Sequence, residues 1–173
     1  MYVHKTHGVN MLKKKGSILF LCLCFILCGC HHGIGSFDAG TLDVEQLMDR
    51  INAKSINGDW QFPIMKEEAW QVSAIQKAYA LDVTKVQDAY SRSAILPAEL
   101  GEITIFKATK EVDALLQQSV EKRIASLKQE WGNILYEADQ VMQTVKEGRI
   151  GEYYYVIIGV DSQKVVNYIQ SMD

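Results

Sequence analysis

Glu102-Ile103-Thr104-Ile105-Phe106-Lys107-Ala108 and Tyr153-Tyr154-Tyr155-Val156-Ile157-Ile158-Gly159-Val160 decide how the rest of this chain must fold. The first run alternates and is rich in β-branched residues, the pattern of a half-buried strand. The second is almost unbroken β-branched and aromatic sequence, which reads as a central strand buried on both faces. Pro97-Ala98-Glu99-Leu100-Gly101, just before the first run, is a turn signal. Ala89 to Ile95 suits strand or helix by pattern, and a strand there completes a hairpin across the turn.

Helical spacing fills the remainder. Thr41 or Asp43 can cap a helix whose residues Leu47, Met48 and Ile51 face inward, ending near Asn57-Gly58. Trp60, Phe62 and Pro63 form an irregular link. A second helix is expected over Glu67 to Ala80, with Trp70, Ala74, Ile75, Ala78 and Tyr79 as its buried stripe, broken by Leu81-Asp82-Val83-Thr84. Thr109 can cap the longest helix, in which Val112, Leu116, Val120, Ile124, Leu127 and Trp131 recur at helical spacing up to a stop at Gly132-Asn133. Leu135, Ala138, Val141, Met142 and Val145 restart the period, and Lys146 to Gly151 reads as the end of that helix. Asp161 is expected to cap a last helix with Val165, Val166 and Ile169 facing inward. This order predicts an α+β fold: a small, largely antiparallel sheet of about three strands carrying helices on one face, including one long amphipathic helix. A coiled-coil arm is the alternative for the long helix, but Gly132 cuts its stripe before four heptads.

The N-terminal region carries a different signal. Lys13, Lys14 and Lys15 precede an apolar run from Ile18 to Leu27, too short to span a bilayer, which closes on Leu27-Cys28-Gly29-Cys30. This run resembles the lipobox of bacterial lipoproteins, in which a signal peptidase cuts before the cysteine and its sulfur carries lipid such as palmitate. The expected division is a signal peptide over residues 1–29, with Met11 a better-proportioned start than Met1, then the lipidated Cys30 and a glycine-rich tether to residue 40. A single α+β domain over residues 41–173 follows. Cleavage falls between Gly29 and Cys30, and the domain faces outside the cytoplasm, anchored to the cell membrane. Cys28 departs from the Ser, Ala or Thr commoner at its position. The competing readings are an ordinary secretory signal or an uncleaved N-terminal helix.

Cys30 also divides the chain chemically. Cys22, Cys24, Cys28 and Cys30 are all the cysteines, and His4, His7, His31 and His32 are all the histidines, so neither residue occurs from Gly33 onward. Cys–His and Ser–His–Asp catalysis, and zinc sites of the usual Cys/His kind, are thereby excluded from the exported domain. His31-His32, two adjacent ligands in the tether, make a poor closed metal site. All 21 acidic residues follow Cys30 while four of the 18 basic ones precede it, so the exported domain is acidic and lacks the footprint of nucleic-acid binding. No phosphate loop, dinucleotide fingerprint or calcium loop occurs, and no cofactor is expected. Trp60, Phe62 and Trp70 are the candidate contact residues if they stay exposed, since aromatics supply much interface energy, and core filling is the competing role. Glu99 and Glu102, flanking the turn, are the candidate carboxylate pair for glycoside hydrolysis, against simple solvation.

Ser93-Ala94 before the turn, Glu102 to Ala108, the helix through Glu121-Lys122-Arg123, and Tyr153 to Val160 followed by an Asp-capped helix together resemble small lipoproteins of Gram-positive, clostridium-like bacteria. Those lipoproteins carry the domain of unknown function numbered 4358. The chain departs from that pattern in lacking a proline near Asn133 to Tyr136 and in a less regular first strand. The resemblance implies location and fold and carries no established activity. The expected function is a non-enzymatic binding module of the cell envelope, touching the bilayer through Cys30 and an envelope protein, peptide or glycan through its domain. The alternatives are a carboxylate-dependent envelope hydrolase and a small accessory subunit of an envelope complex.

Overall fold

Every side chain of Tyr153–Ile158 is buried, and this strand organises the computed structural model, which describes residues 43–134 and 138–172. Thr41, Leu135, the segment before residue 43, and with it Gly29, Cys30 and His31-His32, lie outside the described residues. Four strands, β1 (Asp88–Ser93), β2 (Glu102–Lys107), β3 (Lys146–Ile150) and β4 (Tyr153–Ile158), form one sheet in the order β1-β2-β4-β3. All three pairings are antiparallel. The fold is therefore α+β with an antiparallel sheet, and the hairpin across Pro97 to Gly101 is β1–β2.

Two features of the sheet differ from the sequence reading. Lys146–Ile150 is a strand rather than the tail of a helix. Its composition hides it, because an edge strand with no fully buried side chain needs no apolar alternation, and Lys146, Glu147 and Arg149 suit an edge that must not recruit other strands. Gly151, at φ +53°, takes the first central position of the two-residue turn into β4, where a glycine is favoured. The strand β2 is buried on both faces rather than half-buried.

That double burial follows from the layers. Helices cover both faces of the sheet, not one. On one face Ile103, Ile105, Tyr155 and Ile157 pack with Leu47, Met48 and Ile51 of α1 (Val44–Ile56) and Val165 and Ile169 of α5 (Ser162–Gln170). On the other, Phe106, Tyr154, Val156 and Ile158 pack with residues of α2 (Val72–Tyr79), α3 (Asp113–Trp131) and α4 (Ala138–Gln143). Each buried aliphatic side chain contributes roughly 1.5–3 kcal/mol, so covering both faces outweighs the chain entropy of the short connections. Among the described residues no helix is long and apolar enough to cross a membrane.

The helix ends show where local signals held. Asp43 caps α1, its carboxylate accepting from the Gln46 amide at 2.9 Å. Asp161 instead sits at φ +57° and makes no side-chain cap on α5. Its carboxylate accepts from the Gln61 amide and Lys164 Nζ, at 2.8 and 2.9 Å, and so ties the Trp60–Pro63 link to the start of α5. Thr109 precedes a short 3-10 turn, Lys110–Val112, and makes no cap bond.

The second helix is shorter than its pattern. It begins at Val72, and Ala74 is exposed. Residues 65–70 run instead along the open edge of β1. Met65 bridges to Ala94, and the amides of Lys66 and Trp70 donate to the carbonyls of Ser93 and Ser91 at 2.9 and 2.8 Å. Asn52 clasps this segment from α1, accepting from the Met65 amide at 2.8 Å and donating to the Met65 carbonyl at 3.3 Å.

Gly159 closes β4 at φ +147°, and a Cβ built on it would lie 2.9 Å from the Phe62 ring and 3.2 Å from Pro63 Cδ. Gly159→Ala therefore combines backbone strain with overpacking and should cost about 2–4 kcal/mol, read as a lower urea midpoint. A midpoint equal to that of the wild type would mean that the link is not packed against the strand as described.

Candidate functional site

The face of the sheet under α2 and α3 is apolar on β4 but polar at the turn end of the hairpin. Register places Ser91 opposite Thr104 and Ser93 opposite Glu102. Four polar side chains thus share one face, and burial obliges them to pair. Ser91 and Thr104 hydroxyls lie 2.7 Å apart. Glu102, 2% exposed, accepts from Tyr79 Oη at 2.7 Å and from Arg123 at 2.6 Å through Nη2 and 3.2 Å through Nε, both to Oε2.

Arg123 reaches Glu102 because α3 carries it on the inward stripe with Leu116, Ser119, Val120 and Leu127. Burial opposes its charge, but the Glu102 carboxylate, by charge and by hydrogen bond, together with Tyr79 and Glu130, holds the guanidinium above its ordinary pKa. Tyr79 is pushed well above the usual phenol value, first by burial and then by the Glu102 charge. The guanidinium carbon also lies 5.5 Å from the centre of the Trp70 ring, whose Nε1 donates to Ser93 Oγ at 3.3 Å.

Above this floor opens a cleft of about 250 Å³. Trp70 and Trp131, both half-buried, contribute indole surface to it, Leu100 and Leu127 its apolar base, and Lys66 and Glu99 two exposed charges. The walls come from three places: the 65–70 edge segment, the β1–β2 turn and the second half of α3. A wider groove of about 400 Å³ lies beside α1, where Arg92 is bonded to Asp49 and Tyr90 and is flanked by Glu45 and Glu67. That groove lacks aromatic surface.

The three aromatics proposed as a contact patch separate. Trp60 and Phe62, 7% and 2% exposed, fill the core on the α1/α5 face, where Trp60 Nε1 donates to Ser55 Oγ at 2.8 Å and the ring meets Tyr168 edge-on. Their patch does not exist, because large apolar rings next to an open sheet face are worth most beneath it. Trp70 alone stays at a surface cleft. The two carboxylates of the candidate pair lie in different settings: Glu99 is exposed at the mouth, while Glu102 is buried and bonded to Arg123 and Tyr79. Arg123 and Trp131 escaped the sequence reading as site residues. The signal was present in Arg123, a charge three residues after Val120 and four before Leu127, in phase with the buried stripe.

A family model matches residues 59–159, more than half of the chain, under the description "Domain of unknown function (DUF4358)". The chain belongs to this family. The DUF4358 match spans every residue of the cleft and stops short of α1 and α5, so the cleft lies within the family's own segment. No curated protein and no solved structure matches the chain.

The buried pair makes two measurable statements. Arg123→Met leaves the Glu102 carboxylate buried without its cation and should cost about 3–5 kcal/mol in urea unfolding. Adding Glu102→Gln, which keeps an acceptor for Tyr79, should recover most of that loss, and a double variant no more stable than Arg123→Met would refute the charge coupling. Because Tyr79 stays protonated in the fold while an unfolded tyrosine ionises near pH ~10, stability should be full below that pH and fall as pH rises above it. Tyr79→Phe should shrink this alkaline loss relative to wild type.

Proposed function

We propose that this DUF4358 protein is a bacterial lipoprotein, anchored outside the cytoplasm through lipid on Cys30, whose domain binds a ligand in the Trp70–Trp131 cleft without chemical change to it. The observation that carries the binding reading is the floor of the cleft, where Glu102 and Arg123 satisfy each other. A carboxylate so engaged is a poor general base, and indole surface over a fixed polar floor is the composition of a recognition site. The absence of cysteine and histidine from Gly33 onward supports the same reading, since no nucleophile and base of the usual kind can be assembled.

The anchor rests on the order of the N-terminal signals: three lysines, a short apolar run, then Gly29-Cys30. One acyl chain binds a membrane only marginally, whereas the two or three on a lipoprotein cysteine hold it firmly. The kinship with lipoproteins of Gram-positive, clostridium-like bacteria belongs to this reading and supports a ligand drawn from the cell envelope.

Two variants test it on native membranes. Cys30→Ala should leave an unprocessed or mislocalised precursor, and normal processing with full membrane retention would overturn the anchor. A photocrosslinking residue in place of Leu96, 53% exposed beside the cleft, should capture envelope material that the same residue at Gln163 on α5 does not. Equal capture from both positions would overturn the cleft as the binding site.

A further inference from the structure

The lining of the cleft narrows the chemistry of its ligand, an inference that rests on the reading of the cleft as a binding site. Its ionisable groups are two cations and two anions. Arg123 and Glu102 are ion-paired at the floor, and Lys66 and Glu99, both exposed, add one charge of each sign at the surface. A phosphate, a nucleic acid or a uronic acid polymer would meet Glu99 beside Lys66, and a polycation Lys66 beside Glu99, so the lining gives neither sign of charge a net attraction. The ligand that suits this lining is neutral.

It must also present apolar and polar surface together. Trp70 and Trp131 approach from different elements and offer indole surface, while Ser93 Oγ, Lys66 Nζ and the Glu99 carboxylate line the same cleft with donors and acceptors. A sugar ring has this dual character: its C–H groups form an apolar face that stacks on an aromatic ring, its hydroxyls point outward in the ring plane, and its rigidity keeps the entropy lost on binding small. The cleft, at about 250 Å³, falls just under the ~300–1,000 Å³ of sites for drug-sized ligands, so it fits a short stretch of a chain rather than a large compact molecule. An extended peptide fits less well. Its usual gain comes from adding main-chain hydrogen bonds to an open sheet edge, and beside this cleft the edge of β1 is already taken by Lys66 and Trp70.

We infer that the cleft between Trp70 and Trp131 binds one or two rings of an uncharged glycan, with the indoles as stacking surfaces and Ser93, Lys66 and Glu99 as hydroxyl partners.

The test uses the full-length protein in detergent, read by tryptophan fluorescence, with cellotetraose, maltotetraose and chitotetraose as neutral probes. Polygalacturonate and a proline-rich peptide serve as the charged and peptide controls. At least one neutral oligosaccharide should give a saturable change that survives high salt and that a Trp131→Ala variant, at the exposed end of α3, weakens roughly tenfold or more. Trp60 is buried on the opposite face and serves as the unresponsive internal reference. Trp70→Phe keeps an aromatic surface and should weaken binding less than Trp70→Ala, which separates stacking from general damage to the fold. Saturable binding of polygalacturonate or the peptide in place of the neutral sugars overturns the glycan assignment, and so does silence with all three sugars. Site-selective crosslinking from Leu96 would in either case leave the cleft standing as a binding site, so the two failures are distinguishable.

Discussion

Two adjacent strands with no wet face set the terms for the rest of the domain. Nearly every side chain of β2 and every one of β4 is buried, so apolar cover is needed above and below the sheet at once. The chain meets this with α1 and α5 on one side and α2, α3 and α4 on the other. The same constraint governs polar residues. Anything polar on those strands is buried by default, and Glu102 and Thr104 therefore have to find partners within the protein. The pairing of Glu102 with Arg123 is the largest of these obligations, and it fixes where α3 lies over the hairpin.

An apolar pair of similar volume could close the same gap at little or no loss of stability, since the desolvation of two ions cancels most of their attraction. The worth of Glu102–Arg123 thus lies in geometry. The planar guanidinium bonds the carboxylate through two nitrogens and also lies against the Trp70 ring, so one contact set positions strand, helix and edge segment together. The helix and the edge segment are two of the cleft's walls, and the strand leads out of the turn that forms the third. The floor is polar and ion-paired, and the groups around it are the two indoles and the Lys66 and Glu99 charges.

The sequence announces some of this and conceals the rest for identifiable reasons. Helical spacing located α1, α3 and α5, whose residues are sorted by burial, while a β-branched alternation located β2 and an unbroken apolar run β4. Lys146–Ile150 was illegible because an edge strand has little burial to sort. The start of α2 was misread because Trp70 falls in phase with Ala74 and Ala78, yet its indole belongs to a segment hydrogen-bonded to β1. One face of helices was expected where there are two, since the alternation of β2 looks half-polar and only its partners reveal that Glu102 and Thr104 are internal. Trp70 was visible as an aromatic of unknown placement. Trp131 was assigned to the core stripe, and its place beside a cleft depends on the turn after Leu96, a tertiary neighbour that no periodicity records.

The edge segment has a consequence of its own. Lys66 and Trp70 each contribute a side chain to the cleft and a backbone amide to the margin of the sheet, so the cleft wall and the cover of the sheet edge share the same few residues. A short segment held by few hydrogen bonds belongs to the low-stability end of a domain and opens before the central strands do. When it opens, the cleft loses a wall and β1 exposes a margin able to pair with another chain.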